Sequence, residues 1–276
     1  MPQPHTDSSG YNSDNSDNMP DVNKYISFSG GVESTAMCVL WGSTAKAIFC
    51  DTGYEHEELY KHIDRVEVKL KALHPGFEII KVRANVRHAG VFVDNLYDYI
   101  KLSQFYPAMF ARYCTRMFKI KPIDDFLFGQ GECDLMIGLN FNEQDRTGNH
   151  GNVQTVNYRY PLIENRITRE ACKEILKKAS LLPQYPPYMS RGGCIGCFFK
   201  SKKEFIAMCH FNEPEFDRVM ELEEIIQDKR DVFFRIKRDM PRLRELKAEV
   251  KQSLFKPEEM YLQEEIFTPC GVFCHR

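Results

Sequence analysis

The chain has almost no charge of one sign in excess. Its 276 residues carry 37 Lys or Arg against 39 Asp or Glu, a formal net charge of −2. That excludes a uniformly basic nucleic-acid coat, though not a local basic patch. No run of about 18 or more apolar residues occurs, so neither a membrane span nor a membrane partner is expected. No positively charged stretch followed by an apolar one opens the sequence, so no secretory signal is expected and a cytoplasmic setting is. There is no internal repeat. Residues 1–23 hold four aspartates, no Lys or Arg, and almost nothing to bury. A disordered acidic tail is expected there, because such a segment cannot offset its own ordering entropy.

Apolar residues make up 43%, ample for one large domain or two small ones. Cysteine is plentiful at 10 residues. In a reducing compartment, spaced cysteines read as metal, cluster or redox ligands before they read as disulfides.

From Lys24 the pattern alternates. Tyr25–Phe28 predicts a strand ending in Ser29-Gly30-Gly31, and Val32–Trp41 a helix. Ala45–Cys50 predicts a second strand, Glu55–Leu73 an amphipathic helix and Phe77–Val82 a third strand. Residues 91–128 read as mostly helical with breaks at Pro107 and Pro122. Asp134–Leu139 predicts a fourth strand and Tyr160–Ile163 a fifth, with a helix over Thr168–Ala179. Such alternation implies an α/β fold, a doubly wound parallel sheet covered on both faces. Its ligands bind beyond the carboxyl ends of the strands, where the loops at 29–34, 51–53 and 140–146 should gather. After Leu182 the prolines at 183, 186 and 187 interrupt regular structure. Residues 202–252 then read as helices broken at Pro241. The expected division is a nucleotide-binding domain over 24–180 and a cysteine-containing, mostly helical region over 181–276.

Ser29-Gly30-Gly31-Val32-Glu33-Ser34-Thr35 joins a strand to a helix. Glycines let backbone approach a phosphate, the helix start presents free N–H groups, and Ser29, Ser34 and Thr35 add hydroxyls. The first six of these residues resemble the SGGxDS signature of the PP-loop ATP pyrophosphatases. More closely, the chain resembles the phosphoadenosine phosphosulfate reductase-like branch of that superfamily, with its adenine nucleotide alpha hydrolase-like fold. Phe49–Glu55 resembles that branch's second nucleotide loop, and Cys114–Pro122 its cysteine–lysine–proline helix. Ile137–Arg146 resembles its G-x-x-x-x-E-x-x-R loop, and Tyr160–Glu164 the segment before its cysteines. The likeness covers roughly 24–210. Where the signature has aspartate, this chain has Glu33, one methylene longer.

The resemblance implies ATP cleavage between the α and β phosphates, with Mg²⁺, and transfer of the adenylate to a substrate oxygen. Gly30, Gly31 and Ser34 would cradle pyrophosphate, with Ser29 and Thr35 beside them and Glu33 placing Mg²⁺ or phosphate. Asp51, Thr52 and Gly53 would lie near the sugar or base. Lys119 and Arg146 would neutralise phosphate charge, and Glu143 would bind Arg146 or face the substrate.

Cys194-Ile195-Gly196-Cys197 is a C-x2-C pair that can grip one metal or cluster. With Cys114 and Cys209 it would supply four thiolates, although His210 or a C-terminal cysteine could replace Cys209. Related sulfur-inserting enzymes hold a [4Fe–4S] cluster with such cysteines, some with three protein ligands. Structural Zn²⁺ and a metal-free redox or persulfide pair remain open alternatives. Cys38, Cys50, Cys133 and Cys172 sit among apolar neighbours and read as inert buried thiols. Cys270 and Cys274 close the chain on a tail that could carry sulfur or electrons, with Cys274 as a catalytic candidate.

The function expected is adenylation of a nucleic-acid or nucleotide target for sulfur insertion, of the DNA phosphorothioation or tRNA thiolation type. A cysteine desulfurase or another donor would bring the sulfur, and a homodimer is compatible with the sequence. Two alternatives stand beside it. One is a thiol-dependent sulfonucleotide reductase, and the other a non-catalytic nucleotide-binding protein. A nucleic acid would find aromatics and lysines in Phe198–Lys203, and seven Lys or Arg against three acids in Arg235–Lys251. A solvated helix face, with the phenylalanines packed at the cysteines, is the plainer reading of both.

Overall fold

The computed structural model describes residues 22–147, 153–230 and 233–252. Residues 1–21 of the expected tail and both C-terminal cysteines lie outside them.

β1 (Asn23–Phe28), α1 (Val32–Trp41), β2 (Lys46–Asp51), α2 (Glu57–Leu73) and β3 (Ile79–Arg83) alternate as the sequence pattern implies. A hairpin of β4 (Val86–His88) and β5 (Val91–Val93) precedes α3 (Leu96–Ser103). α4 (Tyr113–Thr115), a π-helical segment (Arg116–Ile120) and α5 (Lys121–Phe128) then follow one another directly. β6 (Cys133–Met136), a 3-10 segment (Phe141–Arg146), β7 (Val156–Arg159), α6 (Pro161–Glu164) and α7 (Arg169–Lys178) complete the sheet-bearing part. Beyond it come α8 (Lys202–Phe211), α9 (Glu213–Arg230) and α10 (Leu243–Gln252).

The main sheet has the order β3-β2-β1-β6-β7, and every pairing in it is parallel. The chain moves outward through β2 and β3, then crosses back to place β6 on the other side of β1. Strand order therefore reverses between β1 and β6, where a doubly wound sheet opens its ligand crevice.

Strand periodicity sorts the core into two layers. Ile26, Phe28, Ala47, Phe49, Ile79 and Met136 face the side covered by α1, α2 and α7. Tyr25, Ile48 and Leu135 face the other side, with Leu127 of α5. A third cluster joins Tyr54, Leu96, Ile100, Tyr106 and Phe118 to Phe205, Phe216, Leu222 and Leu246. The apolar core thus runs across the boundary expected near 180, because α8–α10 cannot bury their faces on one another alone.

Three local expectations are corrected. The fifth strand is Val156–Arg159, and Tyr160–Ile163 lies instead at a short helix with Pro161 in its first turn. Proline suits that position because its missing N–H has no helical acceptor there. Val91–Val93 is a strand, not helix, and its hairpin turns through Ala89 (φ 48°) and Gly90 (φ 84°). Pro122 does not break the helix. It cannot donate to the carbonyl of Phe118 four residues back, and that carbonyl accepts the Cys50 thiol at 2.9 Å instead. The Lys121 amide reaches back five residues to Arg116, the π bond that absorbs the proline.

Candidate active site

The phosphate corner sits at the switch point. Gly30 turns the chain with φ 71°, a conformation that strains any residue with a Cβ. Gly31 caps α1 with no side-chain acceptor on the helix's first N–H groups, which leaves them available to an anion. Ser34 is buried, and its hydroxyl takes the Ser29 amide at 3.2 Å while donating to the Gly31 carbonyl at 3.3 Å. Thr35, also buried, meets His62 Nε2 at 3.3 Å, so its hydroxyl turns into the protein. Across the crevice, a Cβ on Gly138 would lie 3.4 Å from the Ser34 nitrogen. The two glycines keep a cradle open that side chains would fill.

A chain of charges lines this corner. Glu33 pairs with Arg169 of α7 and accepts from Asn140 at 3.3 Å. Asn140 also donates to Glu143 at 2.6 Å, and Glu143 pairs with Arg146. Each arginine is thereby held by a glutamate at the edge of the cradle. Arg146 Nε is buried without a hydrogen-bond partner. Arg169 and Asn140 carry no role in the sequence reading. Asn140 stands in the polar loop that reading marked, but Arg169 has no motif and is found only because α7 packs on α1.

The second loop is tied down. Burial pushes the Asp51 carboxyl up, but the Tyr60 hydroxyl at 2.6 Å, the Gly53 amide at 2.9 Å and Arg83 at 2.6 Å together hold it below the usual carboxylate range. Its contacts are those of a loop anchor. Thr52 is fully buried and donates to Glu55 at 2.9 Å. Gly53 has φ 66°, and a Cβ there would stand 2.4 Å from that of Asn95.

The cysteine loop comes to rest on both nucleotide loops. Ile195 donates its amide to the Tyr54 carbonyl at 2.8 Å, and the Cys194 thiol meets Glu55 at 3.4 Å and Thr52 at 3.7 Å. A Cβ on Gly192 would lie 3.8 Å from the carbonyl oxygen of Ser29. Cys194 is pushed well up by burial and then by Glu55, while Lys119 draws it down and Cys197 and Cys114 add to the rise. Burial also raises Cys114, which feels Lys119 and Cys197. Lys119 stands 3.8 Å from Glu55 and its charge reaches Cys194 and Cys114.

Cys114, Cys194 and Cys197 feel one another's charge, and all are free thiols. Cys209 does not join them. It lies on α8 with Lys247, Glu213, Lys251 and Asp217 as its charged neighbours, which corrects the four-thiolate set. Among the described residues the three sulfurs do not form a group within 4.8 Å, the close spacing one tetrahedral ion requires. Thiolates of a cluster bind different irons and need no such close spacing, and three cysteine thiols are a donor set of that chemical kind. Cys38, Cys50, Cys133 and Cys172 are buried, with Cys50 and Cys172 pushed up to about 12, chiefly by burial.

The basic stretches are largely occupied. Lys200 is buried and donates to the Tyr188 carbonyl at 2.7 Å, so it offers nothing to a phosphate backbone. Lys247 pairs with Glu213 and Asp217, Lys251 with Glu213, Arg242 with Glu245 and Arg244 with Glu224. Phe198 and Phe199 stack on each other at 4.3 Å, with Arg112 and Arg191 over the Phe199 ring. Cys274 lies outside the described residues. No helix among the described residues is long and apolar enough to cross a membrane.

Residues 23–158 match the family model described as the phosphoadenosine phosphosulfate reductase domain. An uncharacterized protein, MJ0066, of Methanocaldococcus jannaschii is 29% identical over 115 residues, which span 40% of this chain and 21% of that protein. The chain thus spans about a fifth of the curated relative it matches. Phosphoadenylyl-sulfate reductase from Candida auris, in a phosphate complex, superposes with a TM-score of 0.41 at 14% identity, over 59% of this chain and 74% of that one. The U34-tRNA thiolase NcsA from Methanococcus maripaludis, with its [4Fe–4S] cluster, gives 0.44 at 17% identity, over 89% and 84%.

Proposed function

Because residues 23–158 belong to the phosphoadenosine phosphosulfate reductase domain family, within the PP-loop superfamily, we propose that this chain is an adenylating enzyme for sulfur insertion. The observation that carries the reading is the seating of the Cys194 loop on both nucleotide loops. One crevice thus offers an anion cradle and three thiols.

ATP would enter at the switch point, with its β and γ phosphates against the α1 N-terminus, Ser29, Gly30, Gly31 and Ser34. A target oxygen attacks the α phosphorus, the bond to the bridging oxygen breaks, and pyrophosphate leaves with the electron pair. Little covalent help is needed. The protein aligns the reactants and holds charge on the phosphate oxygens. Arg169 and Arg146 are placed to take that charge, and exchanging them for phosphate frees Glu33 and Glu143. Glu33 would then hold Mg²⁺. Sulfur attacks the adenylated centre next, and AMP departs.

Cys114, Cys194 and Cys197 would hold a [4Fe–4S] cluster. With three protein thiolates, such a cluster would supply an iron able to bind sulfur. The Thr52 hydroxyl and Lys119 orient and balance the thiolates. The acceptor is a nucleic acid, which would reach the thiols past the exposed Phe105, Met109 and Phe110, the last 90% exposed and free to stack on a base. A cysteine desulfurase would supply the sulfur as a persulfide, and a thiol reductant would bring the two electrons that release it at the sulfide level.

Pyrophosphate release from ATP by the anaerobically purified chain tests the reading, with Ser34→Ala expected to lower it. Sulfur gained in host DNA or tRNA, measured by mass spectrometry with and without the gene, identifies the acceptor. No ATP binding by cluster-loaded protein would sink the proposal. The family match itself favours a second reading, a sulfonucleotide reductase. Sulfite release from a phosphosulfate substrate, abolished in Cys274→Ser, would establish that one instead.

A further inference from the structure

Behind the second nucleotide loop lies a polar cluster that the proposed chemistry does not use. His56 caps α2, Glu58 stands in the first turn of α2, and Glu215 in the first turn of α9. One ligand atom from each lies within 4.8 Å of the other two, the only such trio among the described residues. His56 is 0% exposed and Glu215 8%.

The hydrogen bonds do not satisfy this cluster. His56 Nδ1 pairs with Glu215, whose other oxygen accepts the Glu57 amide at 3.3 Å. Tyr188 donates to one oxygen of Glu58 at 2.7 Å. Two buried atoms are left without a partner, Nε2 of His56 and Oε2 of Glu58. An unmet polar atom in such a place costs about 1–3 kcal/mol. The nearest buried cation, Lys200, binds the Tyr188 carbonyl at 2.7 Å and stands 4.0 Å from Glu204. Two carboxylates therefore stand beside one imidazole, and the hydrogen bond of Lys200 goes to Tyr188 rather than to either of them. The two helix starts account for acidic residues at these positions. They do not account for a fully buried histidine with an open nitrogen.

We infer that His56, Glu58 and Glu215 hold a divalent first-row metal ion. One nitrogen and two carboxylates suit Mn²⁺, Fe²⁺, Co²⁺ or Zn²⁺ and include no soft thiolate. The ion would join α2, which begins directly after the second nucleotide loop, to α9 in the C-terminal region. It is a clamp between the two parts of the chain, separate from the thiols and from any Mg²⁺ bound with ATP.

Mn²⁺ is the probe, because it favours oxygen and nitrogen ligands over thiolates. Full-length protein, freed of loose metal by chelation and without nucleotide, is titrated with Mn²⁺ and followed by electron paramagnetic resonance and thermal melting. Wild type is expected to bind Mn²⁺ and melt at a higher temperature with it. Glu58→Gln and Glu215→Gln should weaken that binding by roughly tenfold or more and abolish the melting shift, while Glu174→Gln, at an exposed position of α7, leaves both intact. If Glu215→Gln does not fold, Glu58→Gln decides, since glutamine still accepts from Tyr188. The inference is overturned if Mn²⁺ does not shift the melting of wild type, or if both glutamine variants bind Mn²⁺ as wild type does. Pyrophosphate release plays no part in either outcome, so the adenylation proposal stands or falls separately.

Discussion

The phosphate corner and the thiol corner share one sheet edge, yet they are built differently. The first is made of backbone. Gly30 supplies a left-handed turn, Gly31 opens a helix, and the donors are amides fixed by seven consecutive residues. The second is made of side chains brought from far apart. Cys114 follows the loop before the π segment, and Cys194 and Cys197 come from beyond the sheet, locked by Tyr106, whose hydroxyl donates to the Gly196 carbonyl at 2.6 Å. Their charges differ as well. Two glutamate–arginine pairs guard the cradle, whereas Lys119 and Glu55 attend the thiols. A backbone site is complete once its strand and helix form. A side-chain site depends on every segment that packs around it.

Several substitutions test this contrast. Cys194→Ser should abolish cluster absorbance near ~400 nm, the region of thiolate-bound iron, while ATP binding measured by calorimetry persists. Loss of both together would mean that the corners are one unit. Gly196→Ala should follow at about 3 kcal/mol of stability. Its Cβ would stand 2.2 Å from the Tyr106 hydroxyl and 2.6 Å from that of Tyr54, both fixed in the core. Gly30→Ala meets only the flexible end of Leu59 at 2.6 Å, and its cost should be the left-handed strain of about 1–2 kcal/mol. Denaturant melts of the two alanine variants compare the corners directly.

Arg169→Ala should lower pyrophosphate release by roughly tenfold or more through lost phosphate stabilisation. Its effect on stability should be small, because the Arg169 side chain is 31% exposed and its pair is screened. An equal loss in Arg169→Lys would point to the guanidinium fork rather than to charge alone. Asp51→Asn should cost about 1.5 kcal/mol at neutral pH. The folded Asp51 carboxyl is held below its ordinary 3.8, so its contribution is full above that value. It is lost as pH falls through the lower folded value, and the gap between wild type and variant should close in acid melts. The smallest effect belongs to Cys209→Ser, which should leave cluster absorbance unchanged.

The sequence made the nucleotide half legible for a physical reason. Short parallel strands buried on both faces write themselves as apolar runs, and the helix over Val32–Trp41 has the bounds its pattern implied. Val156–Arg159 was hidden because Asn157 and Arg159 alternate with apolar residues at an edge of the sheet. The hairpin at 86–93 was hidden because Ala89 takes a positive φ that alanine does not advertise.

What the amino-acid order alone determined is the alternation of strands and helices, the phosphate corner and the candidacy of the cysteines, since each is written in short stretches of sequence. Tertiary structure decided which thiols meet, that Arg169 holds Glu33, and that His56 lies against Glu215. Those pairings join residues between 80 and 159 positions apart, from Cys114–Cys194 to His56–Glu215. Only the packing of α7 on α1 and of the C-terminal region on the sheet-bearing part brings such side chains within reach, and no local spacing encodes it.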